Sequence, residues 1–403
     1  MIKRLYVDNF KSLNDFEICM SPFTVIVGNN TAGKSTVLQV IDFLAGSVRE
    51  DFNVVLERRG WTVGDIRSKL YGNRSKMTFE CDLLLPVDGK DMAVRWNLTV
   101  NVYTTKNIME LVNEDIFLMS EEKKMTLLHF DTAGECYFLC DDGNKERISG
   151  ISGVQSSFMK FVSISEENKK KYRILVAVKE FLINSDSFEL LSPEKMRLSS
   201  RGTVTTIGNA GEKLPSFLKS MNADQKKSFM DKVGRIWGKR LTAVEAQTKG
   251  QPGWTRIVST ERYKDKSVTI TSQNMSDGML RMLALVAISE INKRQVVMLL
   301  DEIENGINMD YAEEMIRILK EVCTEKKNQL IVTTHSATFV DYVDKEDIVY
   351  LYKDPVTGFS QGVTLFEVPE FADRLDYLYP GEVLMNMSNK EIIEVLLKIR
   401  GER

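Results

Sequence analysis

The nine residues Gly28-Asn29-Asn30-Thr31-Ala32-Gly33-Lys34-Ser35-Thr36 constrain this chain more than any other stretch. They fit the spacing G-x-x-x-x-G-K-[ST]. They also follow the apolar run Phe23-Thr24-Val25-Ile26-Val27 and precede a helix expected from about Lys34 to Ala45. A strand, a glycine loop and a helix in that order aim backbone N–H groups at a helix N-terminus, where the dipole adds to their attraction for phosphate. Gly28 and Gly33 let the backbone turn. Lys34 is expected to reach the β- and γ-phosphates of a nucleotide, and Ser35 to offer its hydroxyl to Mg²⁺. A glycine turn that merely caps a helix is the bland alternative, and the flanking strand and helix weigh against it.

Val296-Val297-Met298-Leu299-Leu300 is a fully apolar run ending in Asp301-Glu302. A strand buried on both faces carries its last residues to the mouth of a parallel sheet, where ligands bind. Asp301 is expected to hold Mg²⁺ through water, and Glu302 to orient and deprotonate an attacking water. His335 follows another apolar strand, Leu330-Ile331-Val332-Thr333-Thr334, one helix further along. Its strand should end beside the phosphates, where an imidazole can contact the γ-phosphate or the water. Between the glycine loop and the acidic strand, Ser276-Asp277-Gly278 opens a helix: Ser276 is a plausible N-cap and Gly278 leaves amides open for an anion.

The rest of the chain frames these motifs. The opening 165 residues read as short strands, among them a hairpin over 77–103 turning at Val87-Asp88-Gly89-Lys90. A helical section begins at Glu166 and resumes from Leu214 to Gly238, and the last 150 residues or so are strongly α/β. The formal charge of −3 provides no general basic field, so a nucleic-acid partner would need a local patch. Runs such as Lys169-Lys170-Lys171 are more simply solvated faces. Five cysteines without framework spacing argue for a reducing, cytoplasmic setting, and two histidines give no zinc pattern with them. No apolar stretch approaches membrane-spanning length, so no membrane partner is expected.

A phosphate loop, a Ser-x-Gly helix start, an acidic strand and a histidine after the next strand, in that order, resemble the ABC-type ATPases. Within them the chain is similar to the OLD/RecF-like heads. Val7-Asp8-Asn9-Phe10-Lys11-Ser12-Leu13 looks like their opening strand and turn, and Ser276-Asp277-Gly278-Met279-Leu280-Arg281 like their signature. Asp301-Glu302-Ile303-Glu304-Asn305-Gly306-Ile307 looks like their acidic strand and following loop, and Thr333-Thr334-His335-Ser336 like their switch. The middle stretch from Ser192 to Arg197, with 209–218 after it, is similar as well.

The resemblance implies an α/β fold: an ABC-type head with an antiparallel β lobe, a parallel-sheet α/β lobe and a helical insertion. Residues 1–165 and 241–403 would form the head and 166–240 the insertion. It implies ATP and Mg²⁺ as ligands and a head-to-head homodimer, in which the Ser276-Gly278 helix of one copy closes on the γ-phosphate held by the other. Lys11 becomes a candidate nucleotide contact, and Gln155 a candidate for the glutamine that lines such sites. Full-length OLD nucleases carry a further Toprim domain. Here 68 residues follow His335, and Asp344, Asp347, Asp373 and Asp376 form no convincing metal constellation, so no nuclease site is expected in this chain. The expected output is therefore control of a separate nuclease or toxin, as in the ATPase subunits of anti-phage systems such as Septu and PARIS. The alternatives are a RecF-like ATPase that clamps DNA and an ATP-gated scaffold with little turnover.

Overall fold

The computed structural model describes all residues except 121–123, 133–134, 150–152, 159–161, 189–190, 249, 251–252 and 402–403. A six-stranded sheet organises the chain. Its order is β10 (Asp186–Phe188), β15 (Val297–Leu300), β16 (Gln329–Thr333), β3 (Phe23–Gly28), β17 (Ile348–Lys353) and β18 (Ser360–Thr364). The first five run parallel and β18 is antiparallel. Because side chains alternate across a strand, β15 sends Met298 and Leu300 to one core and Val297 and Leu299 to the other. One core lies under helices Asp277–Ser289 and Ala312–Lys326. The other lies under helix α1 (Lys34–Ser47) and helix Arg173–Ile183. Burial on both faces explains the unbroken apolar runs in β3, β15 and β16.

The second sheet is an eight-stranded antiparallel meander. It contains β1 (Ile2–Asp8), β2 (Phe16–Cys19), β4 (Lys76–Val87), β5 (Lys90–Tyr103), β6 (Ile108–Met119), β7 (Lys124–Asp131), β8 (Cys136–Leu139) and β9 (Lys145–Arg147), in the order β2-β1-β4-β5-β6-β7-β8-β9. The β4–β5 turn closes at the Val87–Lys90 pair, with Asp88 at φ 50° and Gly89 at φ 76°. Two central residues with positive φ twist a two-residue turn to match its strands. This lobe is joined to α1 through aromatic packing: Phe79 stands 5.6 Å from Phe43 and 6.1 Å from Phe10, ring centre to ring centre.

A third, smaller sheet holds β11 (Ser200–Arg201), β12 (Leu241–Thr248), β13 (Trp254–Tyr263) and β14 (Lys266–Thr271). Helices Leu214–Ser220 and Ala223–Trp237 accompany it. The stretch 166–240, expected to be a helical insertion, is thus interrupted by strands. One of them, β10, pairs in parallel with β15 as the edge of the central sheet, so this stretch is woven into the head. Among the described residues no helix is long and apolar enough to cross a membrane.

Candidate nucleotide site

The C-terminal ends of β3, β15 and β16 converge because β16 lies between the other two, with Leu300 beside Val332 and Val332 beside Val25. At that rim a cleft of about 310 Å³ is lined by Ser12, Asn30, Thr31, Gly33, Lys34, Ser35, Thr36, Asp301, Glu302 and His335. Gly28 has φ 138°, and a Cβ there would sit 2.0 Å from the Leu351 carbonyl oxygen on β17. Gly33, at φ 105°, caps α1 without a side-chain hydrogen bond, and no acidic residue occupies the helix's first turn. The first amides of this 14-residue helix are therefore left for an external anion.

Lys34 folds back onto the loop, donating to the Gly28 oxygen at 2.7 Å and the Asn29 oxygen at 3.0 Å. Its Nζ is 3.3 Å from His335 Nδ1. Burial pulls the ammonium pKa down to about 8, against the opposing pull of Glu304, Asp301 and Glu302. Across the cleft, the Thr333 hydroxyl at the tip of β16 donates to Asp301 and accepts from the Glu302 amide at 2.8 Å. Glu302 holds a left-handed backbone, φ 49°, which costs a non-glycine residue on the order of 1–3 kcal/mol. Its carboxylate accepts from Asn305 Nδ2 at 2.9 Å and stands 4.0 Å from His335 Nε2. The Glu304 carboxylate accepts from the His335 amide at 2.5 Å.

Other residues singled out by sequence lie elsewhere. Ala32 is buried beneath the loop, and Asn29 faces a neighbouring cavity shared with Leu384, Met385 and Asn389. Ser276 caps helix Asp277–Ser289, accepting from the Met279 amide at 3.2 Å. Gly278 packs under the loop after Glu302: a Cβ would meet the Gly306 oxygen at 2.2 Å, and Arg281 donates to the Asn305 oxygen at 3.1 Å. Neither Ser276 nor Gly278 lines the cleft of its own chain. Lys11 turns its ammonium to Gln39 at 2.7 Å and over the Trp61 ring at 3.9 Å, while its neighbour Ser12 reaches the cleft. Gln155 is buried outside the cleft lining. Its segment is pinned by the buried Glu114, which accepts from Ser156 Oγ at 2.8 Å and the Ser157 amide at 2.7 Å. Sequence reasoning gave no role to Thr333 or Glu304. For Glu304 the Glu-x-Glu spacing past a strand end was a usable signal. For Thr333 nothing was.

A parallel sheet with the phosphate loop on one strand, the acidic pair two strands away and an antiparallel lobe packed on α1 defines an ABC-type ATPase head. Two family models cover most of the chain. One is described as "AAA ATPase domain" and matches residues 1–145; the other, "AAA domain, putative AbiEii toxin, Type IV TA system", matches 159–341. An OLD nuclease of Thermus scotoductus is 50% identical over 48 residues, which is 12% of this chain and 9% of that protein's length. Among solved structures, an SMC head bound to the C-terminal winged-helix domain of ScpA superposes with a TM-score of 0.52 at 17% identity, covering 90% of this chain and 96% of that one. Most of the chain thus matches AAA-type ATPase domain models, in the fold of an ABC-type head, with one short stretch similar to an OLD nuclease.

Proposed function

We propose that this chain hydrolyses ATP at a composite site between two copies and that the cycle controls a separate effector protein. The one-sidedness of the cleft carries the first part. Lys34, Ser35, Asp301, Glu302 and His335 line it, whereas the Ser276 helix of the same chain packs behind the Asn305–Gly306 loop. A second copy placed head to head would supply its own Ser276 hydroxyl and the amides around Gly278 to the γ-phosphate. Lys34 then holds the β- and γ-phosphates. Ser35 and Asp301 are the groups that would hold Mg²⁺, which supplies positive charge against the phosphate oxygens. Glu302, oriented by Asn305 and by its bonded amide, takes the proton of the attacking water. His335 contacts the γ-phosphate from the edge nearest Lys34.

Support for effector control comes from the partial OLD nuclease likeness and from the SMC head that carries a bound ScpA domain. A head of this kind can pass its nucleotide state to a bound protein, and anti-phage defence is the setting we infer for it. The test is Glu302→Gln protein with Mg-ATP, measured by native mass and phosphate release. A doubled mass with turnover reduced at least 100-fold is expected. A monomer at saturating ATP, or turnover at the wild-type rate, overturns the composite site. The same protein isolated from its host should hold a second polypeptide in fixed stoichiometry. A dimer carrying nucleic acid instead would favour a DNA clamp.

A further inference from the structure

Residues 195–275 hold 16 Lys and Arg against 6 Asp and Glu, in a chain whose formal charge is −3. This strongly basic stretch supplies the third sheet and its two helices. β12 pairs with β13 along one side, over Leu241 to Thr248, and with no other described strand. Beside it lies a cavity of about 470 Å³ lined by Thr242, Ala243, Val244, Glu245 and Ala246. Residues facing one side of a sheet alternate along the strand, so a cavity touched by five consecutive residues runs along the strand's open edge. Its opposite wall is helical. Leu218, Met221 and Phe229 are buried there, and Lys219 and Lys226 stand exposed at the rim with no carboxylate partner among the described residues.

We propose that this slot receives an extended segment of a partner protein, added as a strand to β12, with acidic side chains toward Lys219 and Lys226 and apolar ones in the cavity. An unpaired edge offers a row of N–H and C=O groups that another chain can complete. Five residues span roughly 17 Å at about 3.4 Å each, room for a segment of about the same length. Charge selects among occupants. A second copy of this lobe would bring like charge against like, whereas an acidic segment is attracted. A nucleic acid matches the charge and leaves the edge hydrogen bonds unmade. The wall helix Ala223–Trp237 is pinned to the end of the Ser276 helix by the buried Lys232–Glu290 pair, 2.6 Å, and by Gln225 donating to the Glu290 oxygen at 2.8 Å. A segment seated here thus packs on an element joined directly to the helix that Ser276 begins.

The probe is a pool of labelled ten-residue peptides alternating Asp or Glu with Val, Ile, Leu or Phe, titrated against the full chain. A second pool has proline at two alternate positions and so cannot pair along the edge. The alternating pool should bind at least 10-fold more tightly than the proline pool, and the amides of 242–246 should gain protection from hydrogen exchange. K219E/K226E protein, altered only at exposed side chains, should bind at least 5-fold more weakly while keeping wild-type exchange elsewhere. Equal binding of the two pools, no binding by either at 100-fold the protein concentration, or a single-stranded DNA 20-mer that protects 242–246 and excludes the peptides would each overturn the proposal.

Discussion

Replacing Thr333 by valine removes one hydroxyl and keeps the shape and β-branching of a fully buried side chain. That hydroxyl makes two bonds, one to the Asp301 carboxylate and one from the Glu302 amide. An amide left without an acceptor costs about 1–3 kcal/mol, and the lost charge-assisted bond about 1.5 kcal/mol, because water from the cleft can replace part of it. The sum, roughly 2.5–4.5 kcal/mol, matches or outweighs the ~1–3 kcal/mol that a left-handed Glu302 already stores, so this residue should relax away from φ 49°. Its carboxylate then shifts relative to the attacking water, and a displacement near 1 Å is worth about 100-fold in rate. Phosphate release by Thr333→Val protein should fall 10- to 100-fold, with ATP affinity changing less than about 3-fold because Lys34 and the loop amides are untouched. Thr333→Ser should restore most of the rate. Turnover of Thr333→Val within about 2-fold of wild type would refute the view that this hydroxyl sets the acidic pair.

Lys34 gives a pH signature. Below about 8 its ammonium is charged and ready for phosphate; above that value it is neutral and must take up a proton on binding. ATP affinity should therefore fall as pH rises from 8 toward 10, with net proton uptake in calorimetry across buffers of different ionisation enthalpy. Affinity flat across that range would contradict the assignment. Ser276→Arg and Lys34→Ala proteins should each be inactive alone. Mixed, they should recover part of the hydrolysis through the single site that keeps both Lys34 and Ser276; no recovery counts against pairing between copies. Gly278→Ala should cost about 1–3 kcal/mol in thermal unfolding, since its Cβ meets the Gly306 oxygen at 2.2 Å. An unchanged midpoint would mean that the loop yields freely.

Much of the fold was legible because burial on both faces of a parallel sheet leaves unbroken apolar runs, as in Phe23–Val27 and Val296–Leu300. The order of motifs likewise pointed to the residues that meet in the cleft. What escaped depends on which strands become neighbours. Thr333 matters only because β16 separates β15 from β3, a fact of topology with no local signature. β10 is three residues long, too short for any periodicity to register within a helical stretch. β17 was readable in principle, since Ile348-Val349-Tyr350-Leu351-Tyr352 is β-branched, aromatic and buried. Its carbonyl at Leu351 is what makes Gly28 irreplaceable, a second reason for that glycine beyond the turn. The β12–β13 pair, with Glu245 charged and Gln247 and Thr248 both polar at the end of β12, lacked the clean alternation that betrays a strand.

The place of β16 also fixes a dimension. Two strand spacings of about 4.8 Å separate β3 from β15, so the lysine-bearing loop and the acidic pair start roughly 10 Å apart. That span is set by the pitch of main-chain hydrogen bonding, which side-chain substitutions cannot stretch or shrink. Evolution can exchange the groups on either bank, but the width of the channel between them comes in whole strands. A ligand long enough to span that width, as a triphosphate would be, could touch both banks, whereas a smaller anion could touch only one or the other, so the sheet itself would act as a gauge for the size of the ligand.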